Sequence, residues 1–153
     1  MQIGVISDTH GLLRPEALEA LRSADLIVHA GDVGNPEILA RLKKIAPVFA
    51  VRGNIDTENW ALELPETSIV QAAGSSLYLI HSLRQMDLSP KGAGIDIVIS
   101  GHTHQAEQWE RDGVLYLNPG SAGPRRFKLP VTLARMDLSS VPWNIEIVEL
   151  NCR

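Results

Sequence analysis

Apolar residues arrive along this chain in short runs, each closed by a polar or glycine-containing turn. Residues 1–7, 24–30 and 47–52 are of strand length and show no helical period. Each predicts a buried strand. Between them the period changes. Residues 15–22 place Leu18 and Leu21 on one side, and the segment opening at Asn35-Pro36 does the same with Ile38, Leu39 and Leu42. Both predict helices with proline at the first helical position, the second capped by Asn35. Lys43 and Lys44 fall in its last turn, where cations suit the dipole. Right-handed crossovers make the three strands parallel and gather their carboxyl ends on one rim.

After residue 60 the pattern shifts. Residues 67–72 and 76–80 flank Ala73-Gly74-Ser75, a hairpin signal. Residues 83–94 are polar and irregular, with Pro90 and two glycines, and predict a loop or a short helical turn. Residues 95–99 form another apolar run. Residues 105–111 and 114–117 flank Asp112-Gly113, a second hairpin signal. Asn118-Pro119-Gly120-Ser121 predicts a turn, and 130–138 and 143–150 predict two closing strands. The second half is thus mostly antiparallel. Two sheets packed face to face, with helices outside, would bury both sets of apolar strands.

Composition narrows the function classes. A chain of 153 residues, 44% hydrophobic and 21% charged, fits one ordinary globular domain, 1–153. The net charge of −4 argues against a face for duplex nucleic acid, although Arg125, Arg126 and Lys128 form a local basic cluster. The single cysteine, Cys152, excludes an intrachain disulfide framework and fits a reducing, cytoplasmic compartment. The sequence shows no basic leader with a cleavage site and no apolar run near the roughly 20 residues of a membrane span, so no membrane partner is expected. The closing strand 143–150 offers an edge through which a homo-oligomer could form.

The candidate chemistry sits where strands end. In order these ends read Asp8-Thr9-His10, Gly31-Asp32, Gly53-Asn54-Ile55-Asp56, His81-Ser82 and Gly101-His102-Thr103-His104. Alone, each is bland: an aspartate caps a turn, a histidine sits in a loop. Together they supply seven ligand-type residues, Asp8, His10, Asp32, Asn54, His81, His102 and His104. Residues at i and i+2 of an extended segment point the same way, so His102 and His104 converge on one point if the chain stays extended. A sharp turn after Gly101 would send them to two neighbouring points. Mixed oxygen and nitrogen ligands favour Mn, Fe, Ni or Zn over Ca or Mg. Seven ligands are too many for one tetrahedral centre. They suit two metals sharing a carboxylate about 3.5–4 Å apart, which offset phosphate charge and lower the pKa of a shared water.

Other residues carry two readings each. His29, inside a strand, is structural or supports a neighbouring ligand by a hydrogen bond. Asp56 holds a ligand histidine or caps its turn. Arg52, Arg125 and Arg126 bind substrate phosphate or are solvated surface. Asn118 and Ser121 could orient the rim. Trp60, Trp109 and Trp143 read as core or hairpin residues rather than a base-stacking platform.

Asp-x-His, Gly-Asp, Gly-Asn-x-Asp, a lone histidine after a strand and Gly-His-Thr-His, in that order, resemble the calcineurin-like metallophosphoesterase superfamily. The short chain and the Asn118–Ser121 turn resemble its small YfcE-type phosphodiesterases. The resemblance covers nearly the whole chain and implies a four-layer α/β/β/α sandwich of two mixed sheets. It implies one metal on Asp8, His10, Asp32 and His104, and another on Asp32, Asn54, His81 and His102, with Asp32 bridging. The implied catalytic residues are Asp32, Asn54 and His81. The implied activity is phosphodiester hydrolysis by a hydroxide between two divalent metals, manganese first, on a small or nucleotide-like substrate. Two positions depart from the pattern. Ile55 stands where the superfamily often has a histidine that protonates the leaving group, which predicts better activity on activated or nucleotide-like diesters than on alkyl monoesters. Ser82 stands where glycine is common. Relatives such as the small retromer subunit are protein-binding scaffolds, and larger ones are nucleases. A scaffold role tolerates lost ligands, and none is lost here; a nuclease on short single strands is the third reading.

Overall fold

A computed structural model describes residues 1–152. The chain alternates strand and helix through β1 (Gln2–Ile6), α1 (Pro15–Ala20), β2 (Leu26–His29), α2 (Pro36–Lys43) and β3 (Val48–Ala50). A 3₁₀ turn at Asn59–Glu63 leads to β4 (Thr67–Ala72) and β5 (Ser75–Ile80). A second 3₁₀ turn, Leu83–Gln85, precedes β6 (Ile97–Ile99), β7 (Ala106–Arg111), β8 (Val114–Pro119), β9 (Thr132–Asp137) and β10 (Asn144–Glu149). Among the described residues no helix is long and apolar enough to cross a membrane.

Two mixed five-stranded sheets form, ordered β10-β9-β1-β2-β3 and β4-β5-β6-β8-β7. β1, β2 and β3 are parallel, as the crossover argument requires. The second half is less antiparallel than its hairpins suggest. β6 pairs in parallel with both β5 and β8, and the closing strands return to the first sheet, β9 beside β1 and β10 beside β9. The reason lies in burial. Strands apolar on both faces belong in sheet centres, with a layer above and below.

Side-chain alternation shows these layers. Ile3, Val5 and Val28 of the first sheet meet Leu77, Leu79, Ile97, Ile99 and Leu117 of the second between the sheets. The alternate residues Ile6, Ile27 and Leu133 face Leu21, Ile38 and Leu42 of the helical layer. On the far side Tyr78, Ile80, Val98 and Tyr116 are covered by Leu83, Met86 and Leu88, so the 3₁₀ turn and the segment after it make the fourth layer. This is the four-layer α/β/β/α sandwich that the resemblance implies. Most element ends shift by one or two residues from their expected positions, and at two of them the pairing shows why. Asn118 and Pro119 continue β8, pairing with Glu107 and Ala106, so the expected turn starts only at Gly120. The strand expected at 95–99 begins at Ile97, because the Ile95 amide is taken by the Pro90 carbonyl.

Candidate metal centre

Every ligand-type residue leaves the carboxyl end of a strand. Asp8 and His10 follow β1, Asp32 follows β2, Asn54 follows β3, His81 follows β5, and His102 and His104 follow β6. β1, β2 and β3 are parallel in one sheet, and β5 and β6 in the other, so these ends meet on one rim. The backbone is unusual there. Asp8, His10, Asp32, His102 and His104 all have positive φ, between 46° and 75°. Such conformations are disfavoured for residues with a Cβ and persist where the surroundings fix them. The turn after Gly101 settles how the two last histidines point. The His104 ring lies 5.1 Å from His10, while the His102 ring lies 5.3 Å from His81. They therefore reach two neighbouring points.

Two groups of ligand atoms result. Asp8, His10 and His104 form one; Asp8, Asp32 and His81 form the other. Each carboxylate has one oxygen held and one left over. Asp8 Oδ2 accepts from the Ser7 hydroxyl (2.7 Å) and the His102 amide (3.1 Å). Its Oδ1 lies 3.4 Å from His104 Nε2, 3.7 Å from His10 Nε2 and 3.9 Å from His81 Nε2. Asp32 Oδ1 accepts from the Ile55 amide at 3.1 Å, and Oδ2 stands 3.4 Å from His10 Nε2 and 3.2 Å from His81 Nε2. His81 Nδ1 lies 2.7 Å from the Ala30 carbonyl, which can only accept. Nδ1 therefore carries the hydrogen, and the Nε2 lone pair faces the carboxylates. Asp8 Oδ1, His10 Nε2 and His81 Nε2 are buried with no hydrogen-bond partner in the chain. Buried polar atoms without partners are costly, and divalent cations at the two groups would satisfy all three. The donor set fits the metals that the sequence implies.

Asn54 and His102 are exposed, and both line a cavity of about 350 Å³ with His81. Electrostatics follow the same geometry. Burial raises the Asp8 carboxyl, but His10, His104, Ser7 and His81 outweigh it and hold it far below the usual carboxylate range. Asp32 is also held low: burial raises it, and His81 and the Ile55 amide prevail. The Asp8 carboxylate raises His10, with burial opposing. His81 is raised as well, its burial outweighed by Asp32 and Asp8. The chain alone stores matched charges where cations would sit.

Residues 1–141 match the calcineurin-like phosphoesterase superfamily domain. The chain belongs to this superfamily. A probable metallophosphoesterase of the archaeon Methanothermobacter thermautotrophicus is 38% identical over 154 residues, covering 90% of this chain and 87% of the relative. Two solved structures share the fold. An archaeal phosphodiesterase superposes with a TM-score of 0.81 at 24% identity, covering 97% of this chain and all of that one. Vacuolar protein sorting 29 from Cryptosporidium parvum superposes with a TM-score of 0.75 at 22% identity, covering 97% of each chain. As a calcineurin-like phosphoesterase with two grouped sets of buried histidine and aspartate ligands, the protein is a metal-dependent phosphoric ester hydrolase with a dinuclear site.

The supporting residues divide. His29 is fully buried: its Nδ1 accepts from the Gly31 amide (3.1 Å), so its Nε2–H donates to the Thr9 hydroxyl (3.0 Å), which donates to the Val33 carbonyl (2.7 Å). It ties the loops after β1 and β2 and contacts no ligand side chain through these bonds. Asp56 holds no histidine either. It accepts from the Val33, Gly34 and Gly53 amides at 2.9–3.1 Å, clamping the loops after β2 and β3 together. Asn118 donates to the Gly101 carbonyl and Thr103 hydroxyl, both at 3.0 Å, and the Ser121 hydroxyl donates to the Asp8 carbonyl at 3.0 Å. Ser82 has extended backbone angles, φ −123° and ψ 126°, so the place where glycine is common requires no glycine here.

The arginines separate too. Arg52 lines the cavity but pairs with Glu66 at 3.2 Å. Arg125 donates to the Cys152 carbonyl at 3.4 Å and lines neither cavity beside the ligands. Arg126 lines a second cavity, of about 430 Å³, next to His102. Sequence reasoning missed Arg84, which lines both cavities. Its position three residues after His81 on a strand-end turn was the available signal.

Proposed function

We propose that the protein is a phosphodiesterase of the small YfcE-like kind, one domain spanning 1–153, acting in the cytoplasm on a small or nucleotide-like diester. Asp8, His10, Asp32 and His104 would hold one divalent metal, and Asp32, Asn54, His81 and His102 the other. Manganese is the first candidate among manganese, iron, nickel and zinc, given mixed nitrogen and oxygen ligands. The observation that carries this reading is the free Asp32 oxygen, nearly equidistant from His10 and His81 at 3.4 and 3.2 Å. An oxygen so placed supports reading Asp32 as a ligand shared by two cations.

Bound cations would offset charge on the phosphate oxygens and bring the pKa of a water toward neutrality. The chain's own residues do the rest. Ser7 and the His102 amide fix Asp8, and the Ile55 amide fixes Asp32, so the ligand set is ordered before substrate arrives. Asn54 and His102 stand on the open side, where a phosphoryl group would enter. Water adds at phosphorus, the bond to the leaving oxygen breaks, and that oxygen takes a proton from solvent, because Ile55 has none to give. A phosphomonoester and an alcohol result. The preference for activated leaving groups follows from that last step.

The test is a steady-state assay of protein stripped of metal, reloaded with manganese and given an aryl phosphodiester beside the matching monoester. Diester hydrolysis that falls at least 100-fold in Asn54→Ala and His81→Ala supports the reading. Alkyl monoesters turned over best, or no turnover of either aryl ester with two metals bound, would refute it.

A further inference from the structure

The larger cavity beside His102 has features that metal binding leaves unused. It runs between the outer face of β7 and the 3₁₀ turn Leu83–Gln85, and His102 stands in its wall. Trp109 forms one side. Its indole stacks on the buried Tyr116 ring, with centroids 5.2 Å apart and planes 9° from parallel. One face of Trp109 is therefore held flat by the sheet, while the residue remains 37% exposed on an edge strand. Glu107, two residues earlier and on the same side of β7, lines the same space. Arg84 and Arg126 complete it. Both are exposed, and neither guanidinium has an ion-pair or hydrogen-bond partner among the described residues.

Each part suits one part of a nucleotide. A fixed aromatic plane stacks a base of any identity. A carboxylate accepts from amino or hydroxyl groups of base or sugar. Two unpaired guanidiniums bind phosphate oxygens. The order also fits, since His102 lies in the wall of this cavity and of the smaller one that Asn54 and His81 share. We propose that this groove is a nucleoside subsite, in which Trp109 stacks the base of a nucleotide diester while Arg84 and Arg126 direct its phosphate toward the ligand rim. The inference rests on the phosphodiesterase reading and narrows its substrate class. It also reverses the sequence-based expectation for Trp109, which is a hairpin residue with a presented face.

Two measurements test it. Manganese-loaded protein is assayed with thymidine 5′-(p-nitrophenyl) phosphate and with methyl p-nitrophenyl phosphate. Both release p-nitrophenolate, the first leaving thymidine monophosphate. The ratio of kcat/KM for the nucleoside ester over the methyl ester should exceed one. It should fall about tenfold in Trp109→Ala, mainly through KM, the scale of one base–aromatic stack. Trp109→Phe should restore most of it, and Arg84→Gln and Arg126→Gln should raise KM for the nucleoside ester. Separately, adenosine monophosphate titrated into zinc-loaded protein should quench tryptophan fluorescence, and Trp109→Phe, which keeps Trp60 and Trp143, should abolish that quenching. An unchanged ratio in Trp109→Ala, or equal quenching in Trp109→Phe, would overturn the subsite. If Trp109→Ala does not fold, the phenylalanine and arginine variants decide. Quenching through Trp109 without hydrolysis of either ester would keep the subsite and refute the phosphodiesterase reading. Equal hydrolysis of both esters without quenching would do the reverse.

Discussion

His29 shows how one buried residue serves the rim without touching a cation. Both ring nitrogens are committed, and burial pushes its pKa down to about 4 from an ordinary 6.5. The unfolded chain therefore binds a proton here between pH 6.5 and 4 that the folded chain refuses. Stability from this group is present above pH 6.5 and is lost as pH falls through that window, by about 1.4 kcal/mol per unit and about 3 kcal/mol in all. Metal-free wild type should lose that much more stability than His29→Asn between pH 7 and 4, as read from urea midpoints. Ile55 makes a different point. Its amide holds Asp32, but its exposed side chain offers no proton to a leaving group. Ile55→His should raise kcat for an alkyl diester by about 100-fold and change p-nitrophenyl esters little, since general acid catalysis is typically worth 10²–10⁴-fold only where the leaving group needs it.

Loops, rather than strands, set the ligand spacing, and Asp56 is the main tie between them. It satisfies three amides from two loops through a buried side chain. Asp56→Ala should cost at least about 3 kcal/mol, because three bonds to a carboxylate are lost, each worth roughly 1.5–3 kcal/mol, and removing the buried carboxylate recovers part of its own desolvation cost. Metal affinity should fall with it, measured by competition against a chelator, since Asp32 and Asn54 lie on the two loops that Asp56 joins. At the same scale Gly31 works by its absence of a side chain. Its φ is +101°, and a Cβ would lie 2.7 Å from His81 Nδ1. The Gly-Asp and Gly-Asn-x-Asp spacings in the sequence signal these loops. That Asp56 faces amides rather than a histidine is set by how two loops distant in sequence pack.

Across the whole molecule, stability and function are coupled through charge. The rim gathers Asp8, Asp32, His10, His81 and His104, with orphaned atoms among them and positive φ at most of these positions. Such a site is strained in the chain alone and relieved by cations. Manganese at 100 times its Kd should therefore stabilise the fold by about 2.7 kcal/mol per site, read as a rise in Tm. Asp8→Asn, which removes the charge common to both groups of ligand atoms, should abolish most of that rise.

The sequence by itself determined the parts. Apolar runs of strand length, helical spacing between them and turn residues at their ends fix β1, α1, β2, α2 and β3, because local burial patterns read directly from the chain. The seven ligand-type residues were legible for the same reason, each being a polar residue closing an apolar run. Tertiary structure decided the rest. Only packing between distant segments placed β9 beside β1, turned His102 and His104 toward different partners, left one oxygen of Asp32 midway between His10 and His81, and opened Trp109 onto a groove with Arg84. These depend on contacts between residues far apart in the chain, and no local pattern encodes such distances.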